Sequence, residues 1–416
     1  MQSEYSSLET SIPRKRVVIV AYALSPTLGS EYRSAWELVN QIAIDHDVTV
    51  LFGDSDALMG SFKLYEKFSA ENVINFHAIK VEATRLQVSF AKKMLKMPWG
   101  LAFPLLLRTW HKRAFKIAQQ LHKDCPFDVA HQLGPIGFRN PGYLWKLDCH
   151  TYWGPIGGAQ YIDLNMIKNK WSFYFLEAIF RNLSVRLQFC SPYISKAARK
   201  FDRVSFATFE NLDYFSKHFG RQGPIISDQG LFSSIDKNQE KVHDFKLRVI
   251  WAGTLSPRKN IDALIDIVKK APSDILFTIL GDGTRKEAIT ALAKEFSNVN
   301  YLGLLPRSEV MKNLAQNDVI LLTSLSEANT AILFEAIENG CIPIAPRING
   351  FVSVLSEDVA FLIDQGDYQH SVSLVLDAFD VLLRETVRKR MRKALQKHTF
   401  FLTWERITES HISQYK

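Results

Sequence analysis

The chain has 416 residues, of which 47% are hydrophobic and 23% are charged. This composition is typical of a soluble globular protein, and the length predicts two domains rather than one core. The polar start "MQSEYSSLETSIPRKR" is unlike a signal peptide, and no apolar stretch reaches the roughly 18 residues of a spanning helix. The four cysteines form no C-x-x-C pair, which disfavours a metal knuckle or a disulfide framework and fits a reducing cytoplasm.

The formal net charge of +8 is concentrated mainly in residues 90–200, where Lys and Arg alternate with aromatic residues. Examples are "FAKKMLKMPWGLAFPLLLRTWHKRAFK" and "KNKWSFYFLEAIFRNLSVRLQF". Such a surface can bind nucleic acid or anionic lipid, or it can be a solvated basic face on helices whose aromatics enter the core. No nucleic-acid-binding motif accompanies the charge, so we expect no nucleic-acid partner, and an anionic membrane surface is the better functional interpretation.

In chain order, the first half alternates predicted strands and helices. A helix is predicted to begin at Ser30, with apolar residues at helical spacing along it. The predicted strands are "RVVIVAYALS", "DVTVLFG", "VINFHAIKV", "FDVAHQLG" and "HTYWGPIGG", and "RVSFATFENLDYFSKH" adds a strand followed by a helix. This alternation indicates βαβ units and a parallel sheet.

The second half repeats the pattern. "LRVIWAG", "DILFTILGDG", "NVNYLGLL", "DVILLTSL" and "CIPIAP" read as strands. Asn260 is predicted to cap a helix carrying an apolar stripe. The polar residues 233–244 read as a linker. We therefore predict an α/β fold of two doubly wound domains, 14–232 and 247–399.

Glycine-containing loops follow two strands of the first half. In open α/β sheets, ligands bind where strands lead into helices. Gly29 allows close backbone approach, and Ser30 opens a helix whose N-terminus favours anions. Gly154, Gly157 and Gly158 follow a strand and suit a turn that lies against a ligand, although ordinary tight turns use the same residues.

Two cations follow the first strand of the second half. The loop "GTLSPRKN" begins with Gly253 and Thr254 and places Arg258 and Lys259 just before a helix. Cations at a helix N-terminus are unfavourable unless an anion compensates them. A phosphate-bearing ligand would provide that anion; alternatively, both cations are simply exposed to water.

A pair of glutamates surrounds the start of another helix. "SEANTAILFEAIENGCIPIA" places Glu327 at the end of a buried strand, and Asn329 and Thr330 precede a helix that Gly340 ends. The backbone N–H groups near 329–331 would point into the same crevice. Glu335, a little over one turn along, could accept hydrogen bonds from a diol such as ribose or could be an exposed helix residue.

A dehydrogenase interpretation is weak. "ILGDGTRKE" imitates a dinucleotide fingerprint, but Lys286 occupies the place of its third glycine.

Taken together, these motifs resemble the retaining glycosyltransferases of the GT-B fold, family 4. The resemblance rests on "EANTAILFEAIENGCIPIA", with its E-x7-E signature, and on "WAGTLSPRKNIDALID", "TILGDGTRKEAI", "YLGLLPRSEVMKNLAQNDVILLTS" and "AYALSPTLGSEYRSAWELV". "HQLGPIGFRNPGYLW" and "WGPIGGAQ" are similar to a bacterial subgroup. The resemblance implies two Rossmann-like domains facing a central cleft, with a C-terminal helix (400–416) crossing back to the N-terminal domain.

The resemblance also implies site roles for a nucleotide-sugar donor linked to UDP or GDP. Lys259, with Arg258, would hold the diphosphate, Glu335 the ribose and Glu327 the sugar. The amides of Asn329, Thr330 and Ala331 would meet the phosphates or the sugar, and Gly29 would line the pyrophosphate. Thr254 stands where relatives often have arginine. His131 is the candidate polar group in place of a histidine that many relatives carry elsewhere.

The implied chemistry is transfer of a sugar to a hydroxyl of a glycan or lipid-linked acceptor with retained configuration, without a metal or cofactor. Preorganised cations and amides would stabilise the leaving diphosphate. The protein would act in surface polysaccharide biosynthesis, in the cytoplasm or peripherally at the inner membrane face. Two alternatives remain open: a nucleotide-sugar epimerase of similar fold, and an inactive sugar-nucleotide-binding partner protein.

Overall fold

The computed structural model describes residues 13–26, 30–54, 75–82, 84–86, 89, 102–232 and 246–416. The described chain contains two six-stranded sheets with helices between the strands, which confirms the predicted α/β class. The first sheet has the order β3-β2-β1-β4-β5-β6 and the second has the order β12-β11-β10-β7-β8-β9.

The strands pair in parallel, as their sequences predict. The strand bounds are β1 Arg16–Ala21, β2 Asp47–Asp54, β3 His77–Glu82, β4 Val129–Gly134, β5 His150–Ile156, β6 Arg203–Phe206, β7 Leu247–Ala252, β8 Ile275–Leu280, β9 Val299–Gly303, β10 Val319–Leu321, β11 Ile342–Pro346 and β12 Phe361–Ile363. Every residue of β4 and β8 is buried. Strands that are covered on both faces are continuous apolar runs in the sequence. Such runs made these strands predictable without a structure.

Helices connect these strands. The helix bounds are α1 Ser30–Asp45, α2 Ala102–Asp124, α3 Phe173–Phe189, α4 Pro192–Lys200, α5 Phe209–Phe219, α6 Ile261–Lys270, α7 Lys286–Glu295, α8 Arg307–Gln316, α9 Ala331–Glu338, α10 Asn349–Val354, α11 Tyr368–Leu382, α12 Glu385–Thr399 and α13 Trp404–Ile412. Within the described ranges, none of them combines the length and apolar character needed to cross a bilayer.

Asn260 precedes α6 but does not cap it in the predicted way. Its backbone is left-handed, with φ of 52°, and its side chain makes no capping hydrogen bond. The amide instead donates to the carbonyl oxygen of Met166 at 3.4 Å. The apolar stripe is as predicted, since Ile261, Leu264 and Val268 are buried. The contact with Met166 therefore replaces the capping hydrogen bond that the local sequence favours for the Asn260 side chain.

Two compact units divide the described chain, at positions other than the predicted domain boundaries. One comprises the described part of Met1–Pro135 with Gly142–Trp153 and Ile412–Lys416, and the other comprises Ile136–Pro141 and Gly154–His411. We call them the first and second unit. The segment 154–232 is grouped with the second unit, and the domain bounds 14–232 and 247–399 stay predictions.

The C-terminal residues return to the first unit. Lys15 Nζ donates to the carbonyl oxygen of Tyr415 at 2.7 Å, and a ring nitrogen of His150 lies 2.8 Å from that of Gln414. Only Ile412–Lys416 do so, rather than the whole predicted range 400–416. Trp404 is buried, and its ring packs so closely on Gly230 that a Cβ there would lie 2.7 Å from it. It is a packing residue.

Candidate active site

The carboxylate of Glu327 binds two cations of the second unit. After β10, the buried run Leu322–Ser326 carries the chain to Glu327. Its Oε1 lies 2.6 Å from Lys259 Nζ and 2.7 Å from Arg258 Nη1. The side chains of Lys259 and Glu327 are 9% and 10% exposed, whereas that of Arg258 is 38% exposed. The interpretation of both cations as exposed to water is therefore wrong for Lys259, and the protein itself supplies a compensating anion.

Hydrogen bonds join two segments of the site. One is the turn that contains Arg258 and Lys259, and the other is the extended run that leads to Glu327. The backbone N–H of Leu325 donates to the carbonyl oxygen of Arg258 at 2.9 Å, and Arg258 Nη1 donates to that of Ser326 at 2.9 Å. Thr323 Oγ1 donates to the carbonyl oxygen of Lys259 at 2.6 Å and accepts from the indole of Trp251 at 3.0 Å. The three charges are thus held by backbone contacts rather than by flexible side chains alone.

The electrostatics keep Glu327 ionised. Burial of the carboxyl group opposes ionisation, but the charges of Lys259 and Arg258, with hydrogen bonds from Lys259 and Ser324, outweigh it and lower the pKa of Glu327. A desolvated carboxylate is stable only with such partners. Glu327 is therefore a fixed negative charge between two fixed positive charges.

Glu335 has a cation of its own. It lies on α9, and its Oε1 accepts from Arg307 Nε at 2.8 Å. Arg307 is half exposed while the Glu335 side chain is 18% exposed, so the carboxylate lies at a partly open surface. Sequence reasoning did not single out Arg307, although it opens α8 in a conspicuous motif.

The start of α9 leaves backbone donors available. Thr330 precedes the helix without a side-chain capping bond. Among the described residues, nothing accepts a hydrogen bond from the backbone N–H groups of Asn329, Thr330 or Ala331. The first N–H groups of a helix, together with its dipole, form an anion-binding end. The predicted role of these amides stays a prediction.

Gly350 allows the backbone of the Glu327 loop to pass close to it. A Cβ at Gly350 would lie 1.3 Å from the carbonyl oxygen of Ala328 and 2.7 Å from Asn329 Oδ1. The amide of Asn329 donates to Asp228 Oδ1 at 2.7 Å, which holds the loop from its other side. Sequence reasoning missed Gly350, because no local pattern shows that one backbone must touch another.

Close backbone approach also shapes the Gly253 loop. A Cβ at Gly281, whose φ is 130°, would lie 1.8 Å from the carbonyl oxygen of Gly253. A Cβ at Gly253 itself would lie 3.5 Å from Lys259 Cε, in ordinary contact. Thr254 is exposed. Gly281, the first glycine of "GDG", therefore allows two backbone segments to pack closely here.

Two further glycine loops join within the second unit. The N–H of Phe138 donates to the carbonyl oxygen of Gly157 at 2.9 Å, and the N–H of Gly157 donates to that of Ile136 at 2.8 Å. Gly158 has a φ of 86°, and its Cβ would lie 3.2 Å from Gly137 Cα. Gly154 is buried within β5. The turn is shaped by chain-to-chain contact, and a ligand role for Gly154, Gly157 and Gly158 stays a prediction.

The remaining predicted residues belong to the first unit. His131 is fully buried; its Nδ1 lies 2.9 Å from the Tyr415 hydroxyl, and its ring lies 4.4 Å from that of Tyr152. These contacts give it a packing role, and a catalytic role stays a prediction. Gly29 and the side chain of Ser30 lie outside the described residues.

Sequence reasoning missed two polar residues on α3. Arg181 Nη2 donates to Ser326 Oγ at 3.2 Å, one residue before Glu327. The charges of Arg258 and Glu327 act on the pKa values of both Tyr174 and Arg181. Residues 165–200 read as a solvated or membrane-facing basic stretch, and no signal in it separated Arg181 from its exposed neighbours.

Comparison with known proteins finds a family that matches the C-terminal part of the chain. Residues 233–398 match the family described as glycosyl transferases group 1. Sulfoquinovosyl transferase SQD2 of Arabidopsis thaliana is 26% identical over 170 residues, 40% of this chain and 33% of that protein. The phosphatidylinositol N-acetylglucosaminyltransferase GPI3 subunit of Saccharomyces cerevisiae is 26% identical over 153 residues, 35% of this chain and 34% of that protein. The chain thus spans about a third of the length of the curated relatives that it matches.

Solved structures match over nearly the whole chain. The lipopolysaccharide outer core galactosyltransferase WaaB has a TM-score of 0.64 at 12% identity, covering 96% of this chain and 98% of that one. A glycosyltransferase from Rickettsia africae has a TM-score of 0.65 at 13% identity, covering 97% and 98%. HepE from Anabaena, solved with UDP, has a TM-score of 0.59 at 14% identity, covering 96% and 98%. At these identities the likeness shows the fold alone. Residues 233–398 match the glycosyl transferases group 1 family, and the chain has the GT-B fold of the glycosyltransferases that its motifs resemble.

Proposed function

We propose that this protein is a retaining glycosyltransferase that moves a sugar from a nucleotide-sugar donor, UDP- or GDP-linked, to a hydroxyl of a glycan or lipid-linked acceptor. The observation that carries the proposal is the buried Glu327 held between Lys259 and Arg258, inside a group 1 domain and just before the unused amides at the start of α9. A donor diphosphate carries the charge that such cations and amides bind.

The ion pair provides preorganisation for the leaving group. Negative charge accumulates on the diphosphate as the glycosidic bond breaks, and groups already fixed in place stabilise it with little reorganisation. Lys259 is desolvated before any ligand arrives, since Glu327 compensates its charge. Lys259, Arg258 and the amides of 329–331 would thus supply the positive charge that many transferases take from a metal, and Glu327 would contact the sugar.

Glu335 would bind the ribose hydroxyls. Its carboxylate is partly exposed and keeps acceptor capacity beyond its bond to Arg307. Arg307 would then orient the carboxylate.

A thermal-shift panel tests the donor. UDP, GDP, ADP and dTDP with their common sugar conjugates are added to the wild type, Glu335→Ala and the control Glu338→Ala on the same helix. A ligand at ~100 times its Kd stabilises the fold by about 2.7 kcal/mol. We expect one nucleotide to stabilise the wild type and Glu338→Ala but not Glu335→Ala. If no nucleotide stabilises the wild type, the proposal fails; binding without transfer to any acceptor would favour the inactive partner protein.

The exposed face of α3 fits an anionic membrane surface, which would place the enzyme peripherally on a membrane beside a lipid-linked acceptor. Large apolar side chains that are 38 to 68% exposed repeat on one face of α3: Phe173, Leu176, Ile179, Phe180, Leu183 and Leu187. Trp171, which is 96% exposed, precedes the helix. Residues 165–200 contain seven Lys or Arg and one acidic residue, Glu177, which gives a net charge of +6. An apolar face flanked by cations is the pattern of helices lying in a lipid interface. If a second copy of the chain packed on this face, two positively charged surfaces would repel each other. An anionic lipid surface is therefore the better occupant.

A further inference from the structure

Two atoms near Glu327 are buried without hydrogen-bond partners. They are Arg181 Nε and the hydroxyl oxygen of Tyr174, neither of which has a partner among the described residues. The two residues are seven positions apart on α3, so they lie on the same side of that helix. Leaving such groups unpaired costs free energy of about 1–3 kcal/mol each, and this side of α3 is therefore arranged for something other than stability.

A second arginine adjoins them. The guanidinium of Arg139 lies 5.0 Å over the ring of Phe138, and its Nε donates to Gln188 Oε1. Burial, helped by the charge of Arg181, lowers the pKa of Arg139 to about 10. Burial is also the main cause that lowers the pKa of Arg181. The positive charge of Arg258 also lowers the pKa of Arg181. Buried guanidinium groups in a row of like charges are unfavourably placed unless an anion joins them.

The described charges around this cluster do not balance. The linked cationic side chains are Arg139, Arg181, Arg258 and Lys259, and the linked carboxylates are Glu327 and Glu177. Glu327 is already engaged by Lys259 and Arg258. Burial raises the pKa of Tyr174 to about 12, so its hydroxyl is a neutral donor. An excess of two positive charges and at least two unused donors remain.

We propose that Arg181, with Arg139 and Tyr174, forms a phosphate-binding subsite adjoining Glu327. Guanidinium groups match phosphate oxygens with two parallel donors, and a neutral tyrosine adds a third. The subsite is inferred from this chain's own charges and does not depend on the transfer reaction. Its phosphate belongs either to the donor diphosphate or to a phosphate-bearing lipid acceptor, since α3 also carries the exposed apolar face.

Calorimetric titration of the full chain tests the subsite. The probes are inorganic pyrophosphate, UDP, GDP and dodecyl phosphate. The variants are Arg181→Gln, Tyr174→Phe and the control Arg186→Gln, an exposed arginine on the same helix with the same change of charge. We expect Arg181→Gln to weaken pyrophosphate binding at least about tenfold, because charged hydrogen bonds to a buried group are lost. Arg186→Gln is expected to bind within about twofold of wild type.

Tyr174→Phe keeps the test valid if Arg181→Gln folds poorly. Since the Tyr174 hydroxyl has no partner in the described chain, its removal is expected to weaken pyrophosphate binding without lowering the thermal midpoint. If the variants lose UDP or GDP together with pyrophosphate, the phosphate belongs to the donor. If they lose dodecyl phosphate together with pyrophosphate but keep UDP and GDP, it belongs to the acceptor. The proposal is overturned if wild type binds none of the probes, or if folded Arg181→Gln and Tyr174→Phe both bind pyrophosphate like wild type.

Discussion

Lys259 Nζ lies 2.6 Å from Glu327 Oε1, and both side chains are about nine-tenths buried. The two residues are 68 positions apart in sequence, on different loops of one parallel sheet. Each charge would be costly alone, so each position requires the other. Any ligand that reaches this pair meets a cation and an anion that are already desolvated. Their positions are fixed by hydrogen bonds from the backbone N–H of Leu325 and the hydroxyl of Thr323 to backbone carbonyl oxygens.

Replacing Glu327 changes how stability depends on acidity. The native pKa of Glu327 is lowered from 4.5, so its stabilising contribution is fully present above that value and is lost as the pH falls through the native pKa. Glu327→Gln leaves Lys259 buried without its counter-charge and is expected to cost about 3 kcal/mol at neutral pH. Thermal midpoints measured from pH 7 to pH 3 should therefore fall less steeply for this variant. A profile like that of the wild type in Glu327→Gln contradicts the prediction.

Replacing Lys259 should lower the stability of the fold more than replacing Arg258. Lys259→Gln removes a buried partner and is expected to destabilise by about 3 kcal/mol, because Glu327 is left desolvated. Arg258 is 38% exposed, so Arg258→Gln should cost at most about 1 kcal/mol. Chemical denaturation of both variants measures the difference. The double variant Lys259→Gln with Glu327→Gln should be less destabilised than the sum of the single variants. Additive effects would mean that the pair is not coupled.

The sequence predicts the strands and the loops of the second unit well, because parallel strands are continuous apolar runs and because turn residues mark their ends. It also predicts that residues 253–259 and 327–335 carry the site. It does not predict that Glu327 itself pairs with Lys259 and Arg258, since nothing local reports a contact between such distant positions.

The helix α3 shows a different limit. An amphipathic helix normally buries its apolar stripe, and the aromatic residues of α3 were open to that interpretation. In the structure six large apolar side chains of α3 are exposed although Val185 and Phe189 are buried, and Arg181 reaches Ser326. Periodicity identifies two faces of a helix, but the neighbouring elements decide which face is buried. This also explains why Arg181 and Tyr174 escaped notice.

Gly350→Ala should displace the Glu327 loop. The new Cβ would lie 1.3 Å from the carbonyl oxygen of Ala328, so backbone must move. Misplacement of about 1 Å at a catalytic group can cost roughly 100-fold in rate, and we expect a loss of that order in sugar transfer. Gly137→Ala is the control, because a Cβ there meets nothing within 4 Å. Assays of transfer and of nucleotide binding on both folded variants check this. Wild-type transfer by Gly350→Ala would show that the loop tolerates the shift.

The apolar face of α3 should bind anionic vesicles. Leu176 and Phe180 are 53% and 54% exposed, so Leu176→Glu with Phe180→Glu should leave the fold intact while placing two negative charges on that face. We expect wild type to sediment with phosphatidylglycerol–phosphatidylcholine vesicles at low salt, to bind less in high salt because exposed charges are screened, and to ignore phosphatidylcholine alone. The double variant should lose at least about tenfold in binding, given the apolar area and the charge that it changes. Leu304→Glu, at a site that is 78% exposed and does not belong to α3, should bind like wild type. If wild type does not bind anionic vesicles but forms a dimer that the double variant abolishes, α3 contacts a second copy of the chain and the membrane proposal is wrong.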